Sequence, residues 1–150
     1  MQDAFECVVC DILGPLPTTT RGNKFICVWS DYLTHWPECC AVPSIEAPVI
    51  ACIFVDEIFT RHGAPRTFLS DRGSNFISAL VKEVCCLLNT RKLNSTAYHP
   101  QTDGLVERFN NTLAASISMF VNPEQTDWDL FLPSILLAYH VSPCPFLLYG

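Results

Sequence analysis

A chain of 150 residues can bury one good core but not two. Its 49% hydrophobic and 16% charged residues exclude a disordered segment. A formal net charge of −6, with only Arg91 and Lys92 adjacent among nine basic residues, shows no basic stripe and by itself argues against tight nucleic-acid binding.

The longest apolar stretches, such as Val49 to Val55, fall short of the roughly 20 residues of a membrane span. The opening MQDAFEC has neither the basic nor the apolar region of a signal peptide. The expectation is a soluble, intracellular protein with no membrane contact. The nine cysteines are odd in number, and Cys27, Cys52, Cys85 and Cys86 sit in apolar runs, so buried free thiols are expected rather than a disulfide scaffold.

In chain order, Phe5, Cys7, Val9 and Asp11 alternate with Glu6, Val8 and Cys10 as on a strand, which GPLP at Gly14 to Pro17 breaks, leaving Asp11 near its C-terminal end. Lys24 to Asp31 and Glu38 to Val42 read as two further strands, the first pair joined around Arg21-Gly22-Asn23, in an antiparallel meander. Ile50, Ile53, Phe54 and Ile58 then recur at helical spacing, with Pro48 in the first turn and Gly63 and Pro65 as a stop, for about four turns. Thr67 to Ser70 is a short strand leading into Asp71, and Ser78 caps a helix carrying Leu80, Val84 and Leu87. A short strand at Leu93 to Thr96 and a loop from Tyr98 to Thr102 precede a helix with the stripe Val106, Phe109, Leu113, Ile117 and Phe120. Glu107 borders that stripe. Thr126-Asp127-Trp128-Asp129 reads as a capping box opening a last helix with Trp128, Phe131, Leu132, Ile135 and Tyr139 inward, restarted at Pro133. Three strands, then helix, strand, helix, strand and helices, predict an α/β fold with a mixed five-stranded sheet flanked by helices, the element order of RNase H-like domains.

Four stretches carry a family resemblance in order: CDILGPLP at Cys10 to Pro17, SDYLTHW at Ser30 to Trp36, FLSDRGSNF at Phe68 to Phe76, and YHPQTDGLVERFNNTL at Tyr98 to Leu113. Together they resemble the integrase catalytic core of Ty3/Gypsy-type LTR retrotransposons, a retroviral-type integrase core, over about Phe5 to Gly150. The family's acidic triad falls on Asp11, Asp71 and Glu107, and 35 residues lie between the second and third acids, as in the family. The resemblance implies catalysis by these three carboxylates through two Mg2+ or Mn2+ ions, with Asp11 bridging both, Asp71 completing one site and Glu107 the other. Hard cations take oxygen ligands, and a pair about 3.5–4 Å apart can serve both the attacking and the leaving oxygen of an in-line phosphodiester transfer.

Each acid also has a structural reading: Asp11 as a strand-end residue, Asp71 as a turn former, Glu107 as an acid favoured by the helix dipole. In the family the loop before the third acid lies beside the DNA end, so the resemblance implies phosphate or base contacts for Tyr98, His99 and Gln101. Arg108 and Asn110 are read as DNA contacts or as groups orienting the Glu107 carboxylate, against a solvated helix surface or packing on the loop. Asn75 is read as closing its own turn, against a hydrogen bond near Asp71. Cys7-x-x-Cys10 has no second pair, and alternation sends its thiols to opposite faces, which disfavours a metal site. His35, His62 and His140 are scattered, and no phosphate-binding glycine loop or nucleophile elbow is present.

Complete integrases of this type carry an N-terminal zinc domain and a basic C-terminal region. Neither is expected within residues 1–150, which read as the core alone, shortened between His140 and Pro145. The resemblance implies trimming of 3′ DNA ends and their joining to target DNA, a homo-oligomer in the full-length integrase, and a nuclear location after a cytoplasmic particle stage. The alternatives are a catalytically silent or domesticated remnant that binds nucleic acid or protein, and another RNase H-like nuclease, which the HPQTDGLVERFN segment disfavours.

Overall fold

The computed structural model describes residues 3–70, 73, 76, 78–94 and 100–141, and of 94 and 100–107 the backbone alone. Apolar alternation builds β1 (Cys7–Leu13), β2 (Phe25–Asp31) and β3 (Pro37–Val42) as an antiparallel meander, with Cys10 opposite Trp29 and Cys27 opposite Cys40. Two parallel strands, β4 (Thr67–Ser70) and β5 (Arg91–Asn94), extend the sheet beyond β1 in the order β3-β2-β1-β4-β5. Val9 faces Leu69 across the β1–β4 pair.

The helices supply the crossovers that parallel strands require. Helix α1 (Ala47–Ile53) runs on through a π-helical stretch, Phe54–Phe59, into α2 (Thr60–His62), and Gly63 at φ 83° ends it. Helix α3 (Ala79–Leu87) starts on Ser78, whose Oγ accepts from the Val81 N–H at 3.3 Å. Helix α4 (Pro100–Phe120) is followed by a 3-10 turn, Trp128–Leu130, and α5 (Leu132–Val141).

Helices cover both faces of the sheet. On one face Val8, Cys10, Cys27, Trp29 and Phe68 pack against Ile50, Phe54, Ile58 and Val81, with the Trp29 ring 5.6 Å from Phe54 and 5.0 Å from Phe68. On the other, Ile26 and Val28 meet Phe109, Leu113 and Ile117 of α4 together with Trp128 and Leu132. Each such buried side chain contributes about 1.5–3 kcal/mol.

Several local expectations are corrected. In α3 the core face is Val81 and Cys85, while Leu80 and Leu87 are exposed. Strand β5 starts at Arg91 rather than Leu93, and α4 begins at Pro100, so Gln101 and Thr102 belong to its first turn instead of a loop. Phe120 closes α4 exposed rather than in the core stripe. Cys52 and Cys86 are exposed, unlike the buried Cys27 and Cys85. No capping box forms at Thr126 to Asp129. Asp127 instead accepts from the Asn122 N–H, and Asp129 accepts from Thr19 Oγ1, Arg21 Nη1 and Asn23 Nδ2, tying the β1–β2 connection to the 3-10 turn. Burial pushes the Asp129 carboxyl up, but those hydrogen bonds and the Arg21 charge outweigh it and hold the group below its ordinary value.

The SDYLTHW stretch has a structural task. Asp31 is fully buried and its carboxylate accepts from Phe5 N–H at 2.9 Å, Thr34 N–H at 3.0 Å and Thr34 Oγ1 at 2.6 Å, fastening the start of the chain to the β2–β3 turn. Asp31→Ala strands two backbone donors in the interior and should destabilise the fold by about 2–4 kcal/mol. Urea unfolding checks this as a lower midpoint with an unchanged slope.

Candidate active site

Asp11 stands two residues before the end of β1. Alternation sets Val8, Cys10 and Ile12 toward α1 and α3, and places Asp11 on the opposite side with Cys7, Val9 and Leu13, the side covered by α4. Gly14 at φ 127° then turns the chain. A Cβ there would stand 2.9 Å from the Lys24 carbonyl oxygen, so the turn that fixes the end of the Asp11 strand requires glycine.

Two donors among the described residues hold the carboxylate. Asp11 Oδ1 accepts from the Ile12 N–H at 2.9 Å, and Oδ2 accepts from Asn110 Nδ2 of α4, also at 2.9 Å. Asn110 is buried, and its Oδ1 is solvent-free and has no hydrogen-bond partner among the described residues. Chemistry fixes which way the amide points: a carboxylate only accepts, so the NH2 must face Asp11 and the carbonyl oxygen must turn away from it. An unsatisfied buried acceptor costs about 1–3 kcal/mol, so its retention points to a donor that arrives with a ligand.

Glu107 occupies the position one helical turn before Asn110 on α4, on the same side of the helix, where residues three apart are neighbours. Its side chain and the whole of Asp71 lie outside the described residues. Ser70, the buried last residue of β4, lies at the end of the sheet that carries Asp11, because β1 and β4 are parallel. Tyr98 and His99 also lie outside the described residues, as does the side chain of Gln101. Arg108 is exposed on α4. Asn110, read from sequence as a DNA contact or an orienter of Glu107, is instead buried on Asp11.

Among the described residues no three His, Cys, Asp or Glu side chains gather as a metal cage. Cys7 and Cys10 pack in different clusters on opposite faces. Burial, with a smaller contribution from the Asp31 charge, pushes the Cys7 thiol up to about 11. Burial likewise raises Cys10, so neither thiol is a ready ligand or nucleophile. Of the scattered histidines, His62 joins Arg61 on Glu38 and stacks on Phe5, and His140 stacks on Trp36. Among the described residues no helix is long and apolar enough to cross a membrane.

No protein-family model matches the chain. It is 33% identical over 125 residues, 83% of its length, to the Gag-Pol polyprotein of Feline leukemia virus, and 29% identical over 99% of its length to the retrovirus-related Pol polyprotein from transposon 412 of Drosophila melanogaster. Its fold matches the crystal structure of the catalytic core domain of BIV integrase with a TM-score of 0.75, over 97% of this chain and 93% of that one, at 20% identity. The chain belongs to the retroviral-type integrase cores. It spans only 7% and 13% of the two polyproteins. The five-stranded mixed sheet of this integrase core is thus the RNase H-like fold that the sequence predicts.

Within the integrase core, the Asp11–Asn110 contact is what sequence reading missed. The available signal was spacing: Asn110 follows Glu107 by three residues on one helix face. Asn110 is a positioning residue. Its amide fixes one carboxylate oxygen of Asp11, and its carbonyl oxygen has no partner among the described residues. Asn110→Leu removes both the hydrogen bond and the orphaned acceptor, so the fold should lose little stability. Affinity for Mn2+, measured by calorimetry without DNA, should fall by about 10–100-fold, the usual loss for an outer-shell partner. Unchanged affinity in a folded variant would reduce Asn110 to a packing role.

Proposed function

We propose that this chain is the catalytic core of an integrase that cuts and joins DNA, trimming the 3′ ends of a retroelement and transferring them to target DNA. The single observation that carries the reading is Asp11, oriented by Asn110, a residue that stands one helical turn after Glu107 on α4. Three carboxylates, Asp11, Asp71 and Glu107, would hold two Mg2+ or Mn2+ ions, and Asn110 Oδ1, near Asp11, would accept from a bound water. Bound there, such ions supply charge stabilisation for the attacking and leaving oxygens of phosphodiester transfer.

The chain's own part is positional. Asp11 is held rigid by Ile12 and Asn110, so its lone pairs keep one direction while substrate exchanges. β4, paired with β1, leads in sequence to Asp71, and the α4 backbone carries Glu107 one turn before Asn110. Tyr98, His99, Gln101 and Arg108 are assigned to the DNA strand. The same reading places the chain in a homo-oligomer of a longer Pol-derived protein that acts in the nucleus.

The negative charge favours one second reading, a silent remnant that binds a partner without catalysis. A branched DNA substrate, which already presents its hydroxyl near the scissile phosphate, separates the two readings, since it lowers the demand for substrate positioning. The purified chain with Mn2+ at low salt should resolve such a substrate. A folded, metal-bound chain that leaves it intact supports the remnant.

A further inference from the structure

Between α4 and α5 lies an apolar groove of about 400 Å3. A ring pair stands at each end: Phe109 meets Tyr139 edge-on at 4.8 Å, and Phe120 meets Phe131 at 5.9 Å, so the two helices run in opposite directions along it. Leu113 and Ile135 lie between these pairs, and no charged side chain is among the described lining residues. At a rise of 1.5 Å per residue, α4 runs about 16 Å from Phe109 to Phe120. The groove is open to solvent at its rim, where Phe120 is 57% exposed. An apolar concavity left in water marks a contact surface.

The chain itself supplies an occupant at one end of the groove. Helix α5 ends at Val141, two residues beyond Tyr139, and the nine residues that follow, outside the described residues, read SPCPFLLYG. This segment carries no charge, as the groove carries none. Pro143 and Pro145 are poor continuations of a helix, and the four residues Ser142 to Pro145 are the length of one chain reversal. Phe146 to Tyr149 then give four large apolar side chains in a row. At about 3.3 Å per residue these four span roughly 13 Å of extended chain, which fits within the groove.

We propose that Phe146 to Tyr149 turn back along α5 and fill the α4–α5 groove, as a clasp formed by the chain's own C-terminal segment. Tethering favours this occupant over a second copy of the chain: a segment joined to the end of the groove meets it at an effective concentration on the order of millimolar, which a separate molecule must match from solution. The clasp also borders the candidate active site. Phe109 lines the groove and directly precedes Asn110, whose amide holds Asp11, so filling the groove braces the turn of α4 that positions Asn110.

The test joins nuclear Overhauser contacts and amide hydrogen exchange on the full chain. Methyl groups of Leu147 and Leu148 should show contacts to the rings of Phe120 and Phe131, and a mixture of two isotope-labelling patterns separates contacts within a molecule from contacts between copies. Phe146→Ser, Leu147→Ser and Leu148→Ser together should speed amide exchange along α5 at least about tenfold, as the helix opens locally more often. Ser134→Glu places a charge on an exposed wall of the groove, in the first turn of α5, where the helix dipole favours an acid. In that background the three serines should add little, because both changes break one contact. Leucine methyls that meet no groove ring in the folded chain, contacts found only between copies, exchange that the three serines leave unchanged, or an equal effect of the serines with and without Ser134→Glu each overturn the proposal.

Discussion

Asp11→Asn is expected to abolish metal-dependent DNA cutting and joining by at least about a thousandfold, or roughly 4 kcal/mol in the transition state, while the chain stays folded. The substitution keeps the size and shape of the side chain, and its oxygen can still accept from the Ile12 N–H that now holds Asp11 Oδ1. What it removes is charge and one anionic oxygen. The Asn110 amide would then face a group with a donor of its own and lose its fixed partner. On the proposed reading Asp11 would help to hold both cations, so its loss would weaken the charge stabilisation they would supply to the attacking and the leaving oxygen. The check is single-turnover cleavage of a branched substrate with Mn2+, beside thermal unfolding without metal. A variant retaining a tenth of the activity would remove Asp11 from the chemistry.

Glu107→Gln should lower the same rate by a comparable factor, with DNA affinity in metal-free buffer unchanged. The core stripe of α4 is Phe109, Leu113 and Ile117, and these three anchor the helix to β2 whatever stands at position 107. Rate loss without loss of fold or of DNA binding isolates an interaction made in the transition state. Near-normal strand transfer by the variant would mean that the third ligand lies elsewhere.

The strands were legible where one face is buried and the alternation is clean. β1, β2 and β3 appear within a residue or two of their expected limits, and Ser78 caps α3 as its side chain predicts. The α3 stripe was misread because seven of its nine residues are apolar, which leaves the period ambiguous. The usable signal was the charged pair Lys82-Glu83: the direction opposite it runs through Val81, Val84, Cys85 and Leu88. β5 was placed late because Arg91 and Lys92 read as loop, although edge strands carry such residues to discourage pairing with other chains.

Tertiary contacts account for the rest. Asp129 leaves its expected capping box for Thr19, Arg21 and Asn23, whose positions lie more than a hundred residues earlier. Asn110 was singled out only as a neighbour of Glu107, since nothing local shows that α4 crosses the strand of Asp11. The candidate acids were legible from ordered motifs and spacing.

The central claim is that Asp11 belongs to a carboxylate site for paired divalent cations, and calorimetric titration of the DNA-free chain with Mn2+ tests it most directly. The account predicts two bound ions per chain, weak because the clustered carboxylates repel until cations neutralise them, with binding lost at one or both sites in Asp11→Asn and weakened in Asn110→Leu. Absence of binding by the folded chain, or a titration curve that Asp11→Asn leaves unchanged, would contradict it.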